Sequence, residues 1–171
     1  MQKAKSLQGR WRNVVFFLTA LLVVVADQLS KMWIRSNLDV EELLFELGFF
    51  RLTHIQNTGA AFGLFQGHSF ALTIVALVGI VILLLYALLI YRRFPILDNL
   101  LGKSALGLVL GGTVGNLIDR LHLGYVTDFI DVSVWPAFNI ADSAIVVGVI
   151  IVAYSLCSLA RAEKHGDGKS I

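Results

Sequence analysis

Four separated runs of about 20 mostly apolar residues dominate this chain, and a helix of about that length is what a hydrocarbon core of ~30 Å requires. The first extends from Val14 to about Ile34, apolar through Ala26 and then broken by Asp27, Gln28, Ser30 and Lys31. Phe70 to Tyr91 is nearly unbroken and closes on Arg92, Arg93 and Pro95. A third run, about Leu100 to Ile118, is rich in small residues, with Gly107, Gly111 and Gly115 on one helical face where a neighbouring helix can come close. The fourth, about Ile140 to Leu159, follows Pro136 and Asn139, an N-cap with Asp142 three residues on. Composition agrees: the chain is 57% hydrophobic and 15% charged, against roughly half and a quarter in soluble domains. Within 171 residues, four spans leave no room for a separate soluble domain of ~100 residues. The expectation is one all-α membrane domain over 1–171.

Basic residues accumulate in cytoplasmic flanks. Here they precede the first span (Lys3, Lys5, Arg10, Arg12), join the second to the third (Arg92, Arg93, Lys103) and follow the fourth (Arg161, Lys164, Lys169). Both termini and 92–99 are therefore expected in the cytoplasm. The connections at about 35–69 and 119–138, with Asp39, Glu41, Glu42, Glu46, Asp119, Asp128 and Asp131, are expected outside. The basic start followed by Val14 to Ala26 also fits a cleavable signal, but cleavage would leave Asp27 and Lys31, one turn apart, without a shared role. In the first outer connection, Phe49 to Ile55 has the β-branched and aromatic content of a strand, and Asn57 to Gly63 reads as a turn. With a second short strand at Val126 to Val132, this predicts a small β-containing platform.

Metal and nucleophile chemistry find no support. There is no H-E-x-x-H, no G-x-S-x-G, the histidines are scattered, and Cys157 has no Cys/His partners at zinc spacing. Neither a metal nor another cofactor is expected. A net charge of +2 without a basic face argues against nucleic acid. A Ser30 or Ser143 pairing with Lys31 stays conceivable, although adjacent residues point to different helix faces. Carboxylates remain, since ionisable groups at membrane depth are costly and mark function. Asp27, Asp119, Asp128, Asp131 and Asp142 all fall on one side. Two carboxylates held close cannot both ionise easily, so one keeps a proton while the other polarises water. Each also has a structural reading: Asp27 with Lys31 as an ion pair, Asp119 with Arg120 as a helix-end pair, Asp142 as a dipole-favoured carboxylate, Asp128 and Asp131 as solvated loop charges. Spacing does not choose among them. A proton-coupled carrier would place such groups at midplane in repeated halves, and an assembly subunit would have no use for converging acids.

Five segments in order narrow the choice: Asp27-Gln28-Leu29-Ser30-Lys31, Asn57-Thr58-Gly59-Ala60-Ala61-Phe62, Gly111 to Arg120, Val126-Thr127-Asp128-Phe129-Ile130, and Phe138-Asn139-Ile140-Ala141-Asp142-Ser143. In these the chain closely resembles bacterial lipoprotein signal peptidase, or signal peptidase II. The resemblance leaves out the tails, about Met1 to Arg12 and Arg161 to Ile171. It implies an intramembrane aspartic peptidase of the bacterial inner membrane, acting on diacylglyceryl-modified prolipoproteins on the N-terminal side of the lipidated cysteine. On matching positions the dyad is Asp128 and Asp142. Asn57, Gly59, Asn116, Arg120 and Asn139 support dyad and peptide; Asp27, Lys31 and Asp119 are structural polar supports. Membrane lipid and the prolipoprotein are the implied partners, with no oligomer required and a groove lined by phenylalanine and leucine admitting lipid tails. Asp142, in a helix's first turn, is expected to be the ionised member of the pair.

Overall fold

In the computed structural model, which describes residues 2–59, 67–89 and 95–167, four helices long and apolar enough to cross a membrane carry a three-stranded sheet. They are α1 (Gln2–Asn37), α2 (Ser69–Leu88), α3 (Leu100–Leu123) and α4 (Ile140–Asp167). The strands are β1 (Leu43–Leu47), β2 (Phe50–Asn57) and β3 (Val126–Asp131), antiparallel in the order β1-β2-β3.

The small residues decide which helix is central. In its most apolar stretch α3 is 61% buried, against 22%, 11% and 17% for the others, and it packs against all three. A Cβ built on Gly107 or Gly111 would lie 2.6 Å from the carbonyl oxygen of Phe16 or Ala20 on α1. Gly112 on α3 faces the Ala141 carbonyl of α4, and Gly148 on α4 returns the contact against Ala105. Helices approach this closely only where side chains are absent, which in lipid supplies the packing that hydrophobicity cannot. The outer faces of α1, α2 and α4 expose Phe17, Leu21, Val75, Ile82, Val146 and Ile150 among others. An apolar surface of that extent belongs in a bilayer, and the chain is a multi-pass membrane protein.

Several boundaries differ from the sequence expectation. Helix α1 continues to Asn37, past the expected span end at about Ile34, whereas the fourth candidate span, Ile140–Ser158, agrees with the expected one although the α4 helix itself continues to Asp167. Helix α3 continues past Ile118 to Leu123, so Asp119 and Arg120 are helical instead of opening a loop. It stops where Gly124, at φ +80°, gives a left-handed cap whose N–H bonds the Arg120 carbonyl. The strand expected at Phe49 to Ile55 is β2, and Asn57 is its last residue rather than part of a turn. Strand β1 was not anticipated; it pairs with β2 across Leu47 and Phe50, around Gly48 at positive φ. Ala60 to Gly63, Arg92, Arg93 and Lys169 lie outside the described residues.

Ile34 and Leu38 of α1 pack with Phe129 of β3, joined by Leu52, Ile130 and Ile140. This cluster fixes the sheet to one end of the bundle. At the opposite end Arg12 pairs with Asp98 at 2.8 Å, and buried Lys103 donates to the Ala87 carbonyl at the end of α2 and to Asn13 Oδ1.

Gly111→Ala should destabilise the detergent-solubilised protein by about 1–3 kcal/mol, the usual cost of overpacking. Gly79→Ala, whose new Cβ would meet nothing within 4 Å, should leave the thermal transition unmoved in the same assay.

Candidate active site

Where the sheet meets the bundle, polar residues arrive from four directions: Asp27, Lys31 and Arg35 from α1, Asn116, Asp119 and Arg120 from α3, Asn57 and Asp128 from β2 and β3, Asn139 and Asp142 from the start of α4. Helical spacing explains the first two sets. Residues three and four apart share a face, and both polar faces turn inward.

The deepest part is an ion cluster. Lys31, with no solvent exposure, places its Nζ 2.9 Å from Asp27 and 3.4 Å from Asp119, and donates to Asn116 Oδ1 at 2.8 Å. Gln28 donates to Asp27, to Asp119 and to the Gly115 carbonyl, and Arg35 reaches Asp119 at 3.4 Å and Thr127 Oγ1 at 3.0 Å. Two acids and two bases cancel, as burial of charge demands. The carboxylate oxygens have further work. Asp27 Oδ1 accepts the Ala141 N–H at 3.0 Å, and Asp119 Oδ2 accepts the Thr127 N–H at 3.0 Å. Ala141 and Thr127 each immediately precede one of the two candidate catalytic aspartates.

Asn139 ties those two together. Its Nδ2 donates to Asp128 Oδ1 at 2.7 Å, its backbone N–H to Asp142 Oδ2 at 3.3 Å, and its Oδ1 accepts the Asp142 N–H at 2.9 Å. The exchange with Asp142 is a capping box on α4. Asn57 Nδ2 donates to Asp128 Oδ2 at 2.9 Å, and Asn116 Nδ2 to Asp142 Oδ1 at 2.8 Å. Asp128 is buried and Asp142 half-buried. Burial pushes the Asp128 carboxyl up to about 7, with the negative charge of Asp142 adding to the rise and the Asn57 and Asn139 hydrogen bonds opposing it. The pair can therefore hold one proton near neutrality.

Both aspartates line a cleft of about 190 Å³ with Asn57, Gly59, Asn116 and Arg120 on its polar side and Trp135, Pro136, Phe138, Ile145 and Val146 among its apolar residues. Val146 is also 56% exposed on the outer face of α4, so the cleft borders the exposed apolar surface of that helix. The expected phenylalanine is Phe138; leucine is absent from the described lining, where Ile145 and Val146 stand instead. A larger hollow of about 590 Å³, lined by Arg51, Thr53, Ile55 and Asp131 of the sheet, includes neither candidate.

Other expectations resolve in specific contacts. Asp119 does not pair with Arg120: it turns to α1, while Arg120 donates to the Gly59 carbonyl at 3.3 Å. The Gly59 N–H in turn donates to Asn57 Oδ1 at 2.9 Å. Ser30 and Ser143 direct their hydroxyls to the carbonyls of Asp27 and Asn139, not to Lys31. Asp131 pairs with Arg51 on the sheet at 2.8 Å. Gln28, Arg35, Thr127 and Trp135 were missed as site residues. For Arg35 a signal existed: Asp27, Lys31 and Arg35 repeat every four residues on one face.

The family model described as signal peptidase (SPase) II matches residues 19–158. A lipoprotein signal peptidase of Dehalococcoides mccartyi strain 195 is 50% identical over 156 residues, covering 91% of this chain and 96% of that protein. One from Moorella thermoacetica is 47% identical over 142 residues, covering 82% and 91%. Among solved structures, a bacterial membrane enzyme determined by the in meso method at 2.3 Å resolution superposes with a TM-score of 0.76 at 30% identity, over 84% of this chain and 87% of that one. A second, at 1.9 Å, gives 0.70 at 29% identity, over 82% and 91%.

Lys31→Met should cost about 3–5 kcal/mol by leaving Asp27 and Asp119 short of a cation. Adding Asp27→Asn, which restores neutrality, should recover most of that loss in thermal unfolding in detergent.

Proposed function

Because the chain belongs to the signal peptidase II family, we propose that it is an aspartic endopeptidase that removes signal peptides from diacylglyceryl-modified prolipoproteins, with Asp128 and Asp142 as its catalytic pair. The observation that carries this reading is that the two carboxylates, from separate elements, line one cleft and share Asn139 as a hydrogen-bond partner. In the cleavage step ionised Asp142 takes a proton from water as the oxygen attacks the scissile carbonyl carbon. Protonated Asp128 gives its proton to the carbonyl oxygen. As the tetrahedral intermediate collapses, Asp142 returns its proton to the departing amine and Asp128 recovers one from the hydroxyl, which regenerates the resting pair. Asn57 and Asn139 hold Asp128, Asn116 and Asn139 hold Asp142, and Arg120 with the Gly59 backbone borders the peptide.

The membrane sets where the bond is cut. A diacylglyceryl group stays among acyl chains, so the bond on the N-terminal side of its cysteine is presented near the interface. The exposed apolar surface beside Val146, with Ile145 and Phe138 behind it, suits the chains. Arg10, Arg12 and Lys103 gather at the end opposite the sheet, which supports cytoplasmic termini and a cleft near the outer surface of the bacterial inner membrane. Asp27, Lys31 and Asp119 serve as structural supports.

Purified protein incubated in detergent with a diacylglyceryl-modified prolipoprotein should release the signal peptide, and mass spectrometry should place the cut before the modified cysteine. Asp128→Asn and Asp142→Asn should each lower kcat at least ~1000-fold, of the order seen when a catalytic acid or base is removed. Asp131→Asn, whose partner is Arg51 on the sheet, should keep substantial activity. Cleavage undiminished in both dyad variants would sink the reading. Since Asp128 must carry a proton to act and loses it through about pH 7, kcat/KM should decline above that pH, approaching about tenfold per unit.

A further inference from the structure

Asn116 lies between the ion cluster and the dyad, and its amide has two unlike ends: a carbonyl oxygen that only accepts and an NH2 that only donates. The oxygen takes hydrogen bonds from Lys31 Nζ at 2.8 Å and from Asn139 Nδ2 at 3.1 Å, while the nitrogen donates to Asp142 Oδ1 at 2.8 Å. A lysine ammonium has donors and no acceptor. The reversed amide would set NH2 against NH3⁺ and turn an oxygen toward the Asp142 carboxylate, and both contacts repel. The charge of Lys31 therefore favours this orientation of Asn116, with Asn139 Nδ2 donating to the same oxygen.

We propose that Lys31 is a positioning residue for the reaction: by holding the Asn116 carbonyl it turns that amide so that its N–H faces Asp142, keeping Asp142 the carboxylate that accepts the proton of water. This rests on the Asp128/Asp142 reading above and assigns Lys31 a part in it beyond bracing α1. The Asn139 backbone N–H meets the second oxygen of Asp142 at 3.3 Å, so both oxygens receive donors and the ionised form is matched on each side. The opposite orientation problem is solved for Asn139 by the Asp142 N–H, a donor that fixes its oxygen and leaves its NH2 for Asp128. The other charged groups around this path are Asp27 and Arg35 of α1, Asp119 and Arg120 of α3, and Asp128 of β3. None of them donates to the Asn116 oxygen among the described contacts.

The test uses two variants of the full chain in the prolipoprotein cleavage assay. The charge-neutral exchange Asp27→Asn with Lys31→Met removes the charged donor to the Asn116 oxygen, where only the weaker Asn139 Nδ2 contact then stands, and leaves Asp119 with Arg35. Asn116→Ala removes the relay and leaves the ion cluster intact. Both should lower kcat at least about tenfold, equivalent to ~1.4 kcal/mol, with KM changed less than about twofold, and both should displace the flanks of the pH–kcat profile. In the Asn116→Ala background the Lys31 exchange should lower kcat no further, since residues acting through one another are not additive. A role confined to folding would instead reduce activity in proportion to the folded fraction, measured by thermal melting, and leave the flanks in place. That result, wild-type kcat in a folded exchange variant, additive losses, or an undisplaced profile for Asn116→Ala would each overturn the proposal. Asp128→Asn and Asp142→Asn run alongside separate the two claims: if they are inactive, failure of the Lys31 proposal leaves the dyad standing, and if they cleave normally, the dyad has failed.

Discussion

The arrangement of the sheet end of this protein depends on the buried ammonium of Lys31. Lys31 lies at the sheet end of a helix bundle, away from solvent, between Asp27 on its own helix and Asp119 on α3. A charge in that setting persists only with partners close enough to replace water. Those partners are themselves committed: Asp27 holds the Ala141 N–H and Asp119 holds the Thr127 N–H. The same electrostatic requirement that keeps Lys31 paired thus fixes the backbone one residue before Asp142 and one residue before Asp128. Strength at the centre becomes precision at the cleft.

The glycines on α3 make that cluster geometrically possible. Gly115 faces Asp27 so closely that an added Cβ would lie 2.6 Å from its carboxylate oxygen, and Gly107 and Gly111 bring α1 near along the preceding turns. Lipid-facing helices need only be apolar, whereas α3 has to be small, and then polar, in the order its neighbours require. Its stop at Gly124 releases the chain into β3 in time for Asp128 to meet the start of α4.

Much of this is written locally. Four apolar runs, the four-residue spacing of Asp27 and Lys31, the glycine face and the Asn139–Asp142 cap are all visible because each depends on residues within a few turns. Strand β1 is not, since Leu43 to Leu47 lacks the alternation of a half-buried strand and is exposed throughout. Asp119 looks in sequence like a partner of Arg120 but pairs with Lys31 and Arg35, because adjacent helical side chains turn to different faces. The choice of Asp128 and Asp142 from among the acids came from resemblance to a family: their meeting is a tertiary event joining β3 to α4, which spacing within either element does not encode.

The central claim is that these two carboxylates hold one proton between them near neutrality, with Asp128 bearing it. Infrared difference spectroscopy between pH 6 and pH 8, with isotope-labelled aspartate, reads that proton directly. The account predicts one carboxylic acid band that disappears as the pH is raised through about 7, absent from Asp128→Asn and, in Asp142→Asn, where the charge that helps raise Asp128 is gone, still present but lost at lower pH. Equal bands from both residues, or a band that survives Asp128→Asn unchanged, would contradict it.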